Sequence, residues 1–477
     1  MWVKALLLFL VFSFVFQPDH SFDQDLGRHL KLGEIIWQTH LVPKTNLFSF
    51  TNPDFPFINT HWLFEVIAYT FSVSVGLYAF LVLKIFIFLI SVLLIIKIIP
   101  KEDSTLLVPI GLIFLLSLRQ RVELRPEIFS FFYTALTYFI LEKFLKKSTK
   151  WVYVLPLISL FWINTHIYFF VGLILQAIFI IHLGLHLRGV KLKLLSFIFV
   201  LSVVASLINP NFLQGFLYPL FVNQNYGYAI EENQTMFFLE KIGFNNPNYL
   251  FAKASLIISL ISLVIAFFRK RLQLKNILLV FFGAGLALLN VRGFPYLFFL
   301  SMPAVLFNIG PIKKSAITYT ILIVFIPLVI YLTFINLEHT SGLSFIKNGE
   351  GAMDFAIKNE LPSSIFNNFD IGSYILYRGY PKFKPFVDGR PEAYPKEFFS
   401  DTYIPMQSDL NKFKHEETKW GIKTIIFSHT DLTPWAASFL QSISKEKDWK
   451  MVYVDDFIVI FVKADVANQK NLKILNP

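Results

Sequence analysis

Much of this chain shows no alternation of hydrophobic and polar positions; whole stretches are apolar on every face. Such runs cover 2–16, 77–99, 106–118, 128–145, 151–187, 194–208, 250–268, 277–309 and 316–335. Helices of this kind are solvated by lipid rather than water. The two longest blocks each contain one polar break, at Asn164-Thr165-His166 and between Asn290 and Pro295. Each is flanked at both ends by basic clusters: Lys143, Lys146, Lys147 and Lys150 before the first, with Arg188, Lys191 and Lys193 after it. Arg269, Lys270, Arg271 and Lys275 precede the second, and Lys313 and Lys314 follow it. Both ends of each block therefore prefer the cytoplasm, and the chain must fold back at the polar break. Counting in this way predicts about eleven spans, with the N-terminus inside and the C-terminus outside. No small-residue cleavage pattern follows the first run, so 2–16 reads as a retained span.

Three outer segments are longer than connections require: 18–76, 209–249 and the tail from 337. In the first, the apolar stretch His61-Trp62-Leu63-Phe64 is interrupted by Glu65, which reads as a helix lying in the membrane interface with Trp62 and Tyr69 at headgroup level. The tail turns polar and charged. Short β-like runs at 364–367, 373–377, 383–387, 424–428, 451–454 and 458–462 are separated by helical patterns at 352–359, 407–418 and 434–444. The expected class is an α-helical polytopic membrane protein, with a transmembrane domain over 1–336 and an extracytoplasmic α/β domain over 337–477.

Composition agrees with this pattern. Of 477 residues, 55% are hydrophobic and only 16% charged, which excludes an ordinary water-soluble enzyme. The net charge of +11 follows the membrane orientation signal, so it does not imply nucleic acid. The chain has no Cys, which removes disulfides, thiolate metal sites and Cys nucleophiles together. It also lacks a phosphate-binding Gly-Lys-Ser/Thr loop, a Gly-x-Ser-x-Gly elbow and a His-Glu-x-x-His zinc helix.

The first outer loop concentrates Asp19, His20, Asp23, Asp25, His29 and Glu34. On a helix starting near Asp23, Asp25 and His29 share a face. Carboxylates at a membrane surface can take a proton from an acceptor hydroxyl or hold a divalent ion. They can equally cap a helix.

The stretch from Asp23-Gln24-Asp25 through His29 and Gly33 to Pro43, followed by Thr45-Asn46-Leu47-Phe48-Ser49-Phe50-Thr51, resembles the first outer loop of GT-C membrane glycosyltransferases. Protein mannosyl transferases and aminoarabinose transferases are among these, and so are related uncharacterised bacterial membrane proteins. In that family an acidic motif follows the first span, a Pro comes about twenty residues later, and an interfacial helix follows. The wording of this loop, with Asn209-Pro210 and Asp388-Gly389-Arg390, is nearest to the uncharacterised bacterial group. The resemblance makes Asp23 the counterpart of the family's catalytic Asp. Because Gln24 stands where the family has a second acid, the choice between Asp23 and Asp25 stays open.

The resemblance further implies a polyprenyl-phosphate-linked sugar donor, a glycan, lipid or protein acceptor, and cations that meet the phosphate. Arg125, from the group Arg119, Arg121 and Arg125, and Arg292 are the candidates; such arginines also snorkel to headgroups. His29, His61, Asn164 and His166 are candidate sugar or phosphate contacts, and the last two suit a loop cap as well. Glu231 and Glu232 lie where relatives carry a gating segment. If Mg2+ or Mn2+ is used, Asp25 and Glu232 are its candidate ligands. The segment Phe369-Asp370-Ile371-Gly372-Ser373-Tyr374, with Asp388 and Arg390, is similar to the Trp-Asp-Tyr-Gly segment of oligosaccharyltransferases, which implies an acceptor-side role. Asp388-Gly389 also suits a plain turn. The expected function is glycosyl transfer at the outer face of the cytoplasmic membrane by Asp-assisted inverting displacement. The alternative is a non-catalytic carrier or assembly protein for lipid-linked glycans.

Overall fold

The computed structural model describes residues 25–100, 106–147, 149–186, 189–312 and 350–475, with isolated positions at 7–9, 11–12, 15, 327 and 331. Asp23 lies outside the described residues, as do most of the runs 2–16 and 316–335. The longer helices are, in chain order, α1 (Leu26–Thr39), α2 (Trp62–Ser74), α3 (Leu77–Ile98), α4 (Leu107–Ser117), α5 (Glu127–Lys146), α6 (Leu155–Thr165), α7 (Phe170–His186), α8 (Val190–Ser206), α9 (Pro247–Phe268), α10 (Leu274–Leu289) and α11 (Met302–Ile309). Beyond them come α12 (Glu350–Lys358), β1 (Ile365–Asn367), α13 (Gly372–Gly379), α14 (Leu410–Trp420), β2 (Thr424–Ser428), α15 (Ala436–Lys445), β3 (Trp449–Val454) and β4 (Ile458–Lys463).

The chain forms two compact units, and no one cut in the sequence separates them. The first joins Met1–Gln17, Tyr78–Pro219 and Ile230–Thr340; the second joins Pro18–Leu77, Leu220–Ala229 and Ser341–Pro477. The sequence reading assigned the whole of 18–76 to the transmembrane domain. In the structure this loop clusters with the tail, because its apolar side chains Leu32, Phe48 and Phe57 pack against Leu376 and Phe386 of the tail's cores.

In the first unit, α3, α5, the stretch Ile167–Leu185 and α9 are long and apolar enough to cross a membrane, counting only the described residues. Shorter apolar helices, α4 and α10 among them, accompany these. The predicted breaks fall where polar residues interrupt the apolar blocks. Helix α6 ends at Thr165, with His166 in extended backbone, and α10 ends at Leu289, with Asn290 extended. Helix α9 buries Ala252, Ser255, Ser259, Ser262 and Ala266 along one face. Small residues at this three-and-four spacing let neighbouring helices approach where no hydrophobic effect drives them together.

The second unit carries, among the described residues, a four-stranded sheet in the order β1-β2-β4-β3. β1 and β2 run parallel, and the other pairs are antiparallel. Alternate strand residues feed two cores: Phe366, Ile425, Phe427 and Phe461 on one face, Ile365, Ile426, Ile460 and Val462 on the other. Two expected strands are absent. Residues 373–377 lie inside helix α13, whose Ser373, Tyr374, Ile375 and Leu376 are all buried; an apolar run this short fits either period, and packing on several sides selects the helix. Residues 383–387 make only an isolated bridge, Ser364 with Lys384. Pro385 lacks the N–H a ladder needs, and the Asn367 side chain takes over, donating to Val387 O at 2.8 Å and accepting from Phe386 N at 2.8 Å.

Helices α1 and α2 pack closely because Gly33 faces α2. A Cβ there would lie 2.0 Å from the Glu65 carbonyl oxygen. This contact brings the buried side chains of His29 and Glu65 together.

Candidate functional site

Two clusters of charged residues stand out, one in each unit. In the second unit, Asp25 sits at the N-cap position of α1, yet its side chain makes no capping hydrogen bond. Its Oδ1 lies 3.6 Å from Arg28 Nη2 and accepts from Ser373 Oγ at 3.5 Å. The carboxylate also occupies the space in front of Gly389, where a Cβ would stand 2.4 Å from Oδ1. The start of α1, the 370–374 segment and the Asp388-Gly389-Arg390 turn therefore meet around one partly exposed carboxylate.

One helical turn along α1, His29 is buried and its Nδ1 is 3.0 Å from Glu65 Oε1. Asn59 Nδ2 donates to Glu65 Oε2 at 2.6 Å. Burial pushes the Glu65 carboxyl up to about 7; the Asn59 hydrogen bond and the charges of Arg28 and Arg390 pull against it. The His61 ring meets His29 edge-on, with centroids 5.7 Å apart. His29 and His61 are thus brought together, and His29 shares its helix with Asp25. Sequence reasoning noted Glu65 only as an interruption of an apolar helix. A carboxylate on an apolar stretch is itself the signal of a buried partner.

Asp370 lies near Asp25. Burial, with the charges of Asp431 and Asp25, raises its carboxyl to about 7. Asp388 and Arg390 are essentially inaccessible, at 0% and 1% exposure. Arg390 donates from Nε and Nη2 to the two Asp388 oxygens at 2.8 and 2.7 Å, and from Nη2 to Asn46 Oδ1 at 2.7 Å. The rings of Phe48 and Phe57 lie 4.9 and 4.8 Å from its guanidinium carbon. The pair is spent within the fold, where it braces the turn that presents Gly389 to Asp25.

In the first unit, three guanidiniums converge on one carboxylate. Glu232 pairs with Arg121, Arg125 and Arg292, the last at 3.2 Å from Nε to Oε2. Arg121 also pairs with Glu127, and Arg125 with Glu123 at 2.9 Å. Burial opposes the charged form of Glu232, yet Arg121, Arg125 and Arg292 hold it well below the usual carboxylate range. Two local devices place these groups. Lys84, buried in α3, donates to Val122 O at 2.8 Å and so pins the connection that carries Arg121 and Arg125. Val291 N donates to Gln234 O at 3.1 Å, tying the Glu232 turn to the Arg292 break. Of Arg119, Arg121 and Arg125, the last two reach Glu232.

At the α6–α7 break, Trp162 Nε1 donates to Ser130 Oγ at 2.7 Å, and the same hydroxyl is hydrogen-bonded to His166 Nδ1 at 2.7 Å. His166 stacks on Tyr168, and Tyr168 on Tyr296, both with centroids 5.3 Å apart. Asn164 donates to the backbone carbonyls of Leu160 and Ile208 at 2.8 and 2.9 Å, which ties α6 to the end of α8. Among the described residues, no group of three or more His, Asp or Glu stands close enough to hold a metal ion. Asp25 and Glu232 belong to different units.

Comparison with solved structures decides the fold. The archaeal oligosaccharyltransferase AglB from Archaeoglobus fulgidus, solved in complex with an inhibitory peptide and a dolichol-phosphate, matches over 96% of this chain and 74% of its own, with a TM-score of 0.61 at 10% identity. The fold is that of the GT-C glycosyltransferases. The Archaeoglobus fulgidus enzyme tethered to an acceptor peptide containing the NVT sequon gives 0.60 at 11% identity, with the same coverage of both chains. The mycobacterial arabinofuranosyltransferase AftD gives 0.56 at 11% identity over 97% of this chain, which spans 41% of that larger protein. No family model matches the sequence. No curated protein matches it either. A GT-C fold with several membrane-length apolar helices makes this a multi-pass membrane protein.

Proposed function

We propose that the protein is a glycosyltransferase that moves a sugar from a polyprenyl-phosphate-linked donor to an acceptor at the outer face of the membrane. The observation that carries this reading is the situation of Asp25. It is a helix-start aspartate whose carboxylate is not a cap. Instead it is steadied by Arg28 and Ser373 and given room by Gly389. A carboxylate so held suits a general base.

In the reaction, the acceptor oxygen bonds to the anomeric carbon as that carbon's bond to the phosphate oxygen breaks. The hydroxyl proton passes to the carboxylate, the phosphate departs with the bonding pair, and configuration inverts. Asp23, two residues earlier, is the other candidate for the base. Arg125 and Arg292, joined by Arg121, suit the phosphate, because planar guanidiniums match its oxygens and persist as cations. Glu232 holds all three side chains together, and a phosphate would compete with it for them. The AglB structure with a dolichol-phosphate supports the donor class.

The test is transfer by the purified full-length protein from a panel of polyprenyl-phosphate hexoses and pentoses, with Asp23→Asn and Asp25→Asn as variants. One variant is expected to lose at least a hundredfold in rate, the scale of a missing general base. Full transfer by both would remove the proposed base.

A further inference from the structure

The first unit contains a cavity that the proposed reaction does not use. Its volume is about 260 Å³, and its polar lining comes from Glu142, Lys146, His182, Gln273, Lys275 and Asn276. Helix α5 runs from Glu127, which pairs with Arg121, to Lys146, on the cavity. At 1.5 Å per residue the two ends of that helix stand roughly 30 Å apart. Helix α10 repeats the relation, with Lys275 in its first turn at the cavity and the Arg292 break beyond its last. The cavity and the arginine cluster therefore lie at opposite ends of the same bundle.

The lining is unusual for a helix bundle in lipid. Glu142 and Lys275 form an ion pair whose side chains are only 9% and 10% exposed, a costly arrangement within a helix bundle. Asn276 is buried beside them and donates to Asn308 Oδ1 at 3.5 Å. With Glu142 and Lys275 cancelling, Lys146 leaves the cavity one positive charge in excess. Its surroundings add more: Lys143 and Lys147 flank Lys146, while Arg269, Lys270 and Arg271 lead up to Gln273. Ile98, Ile99, Leu145 and Phe307 supply apolar wall to the same space. A basic pocket that is polar at its charged side and apolar along its helices fits an amphiphile with an anionic head.

We infer that this cavity binds the phosphate of an anionic lipid headgroup, at the end of the membrane bundle opposite the arginine cluster. Lys146 meets the phosphate; Lys275, held in place by Glu142, and the neighbouring amide N–H groups donate its remaining hydrogen bonds. The apolar walls take the upper part of the acyl chains. The shared chemistry is a phosphate, and its source is the lipid.

The experiment uses the full-length protein in detergent, titrated with short-chain phosphatidylglycerol, short-chain phosphatidylcholine or inorganic phosphate. Binding is followed by native mass spectrometry and by thermal stabilisation. Phosphatidylglycerol is expected to bind at least tenfold more tightly than the other two. Lys146→Gln, an exposed position whose change leaves the buried pair intact, should weaken it about tenfold, as should the paired change Glu142→Gln with Lys275→Gln. Arg292→Gln, at the other end, should leave this binding unchanged. Equal binding of the two lipids, or phosphatidylglycerol binding that survives Lys146→Gln and falls with Arg292→Gln, would overturn the site. Inorganic phosphate binding as tightly as the lipid would overturn the lipid as its source.

Discussion

Oδ1 of Asp25 lies 2.4 Å from the point where a Cβ on Gly389 would stand, so the two residues, far apart in sequence, share one volume. Gly389→Ala must push the carboxylate aside while leaving the buried Asp388–Arg390 brace in place. Transfer should fall by about a hundredfold, the scale of a misplaced reacting group, with little change in melting temperature. Gly285→Ala, where a Cβ meets nothing within 4 Å, is the control and should leave the rate alone. Equal rates for the two variants would show that the Asp25 position does not matter to the chemistry.

The brace itself is tested by Arg390→Lys. An ammonium cannot reproduce the paired bonds to Asp388 and the bond to Asn46, nor lie flat between Phe48 and Phe57. Disrupting a buried, hydrogen-bonded ion pair costs about 3–5 kcal/mol. The melting temperature should drop sharply even though the positive charge is kept. A variant as stable as the parent would mean that the guanidinium geometry is dispensable.

Glu232→Gln takes away the carboxylate on which Arg121, Arg125 and Arg292 converge. A polyprenyl phosphate should then bind more tightly, on the order of tenfold, because it no longer competes with a charged side chain. Stability should fall as well, since three guanidiniums lose their shared counter-ion. Titration of the detergent-solubilised variant checks the first effect and thermal unfolding the second. Weaker binding would mean that Glu232 helps to build the phosphate site.

Asp370 gives a pH signature. Its carboxyl is raised to about 7, first by burial and then by Asp431 and Asp25. The folded protein keeps a proton that the unfolded chain releases near pH 4, so stability should decline as pH rises from about 4 to about 7. Glu65, also raised to about 7, acts in the same direction. Asp370→Asn should make the decline shallower without abolishing it. Melting curves between pH 4.5 and 8 decide, and an unchanged slope would show that Asp370 does not hold the proton.

The sequence by itself determined the membrane character, the helix breaks at His166 and Asn290, and four strands and three helices of the tail. All of these depend on local composition or period, which a single segment carries. It also singled out Asp25, Asp388 and Arg390, yet it could not say that they lie together, nor that Asp25 is uncapped while Arg390 is buried between two phenylalanines. Only the tertiary structure decided those points, and it alone joined Glu232 to three arginines and Glu65 to His29. The reason is physical: a buried charge is tolerable only beside its partner, and that partner is chosen by which surfaces pack, an interaction between segments that no local pattern records.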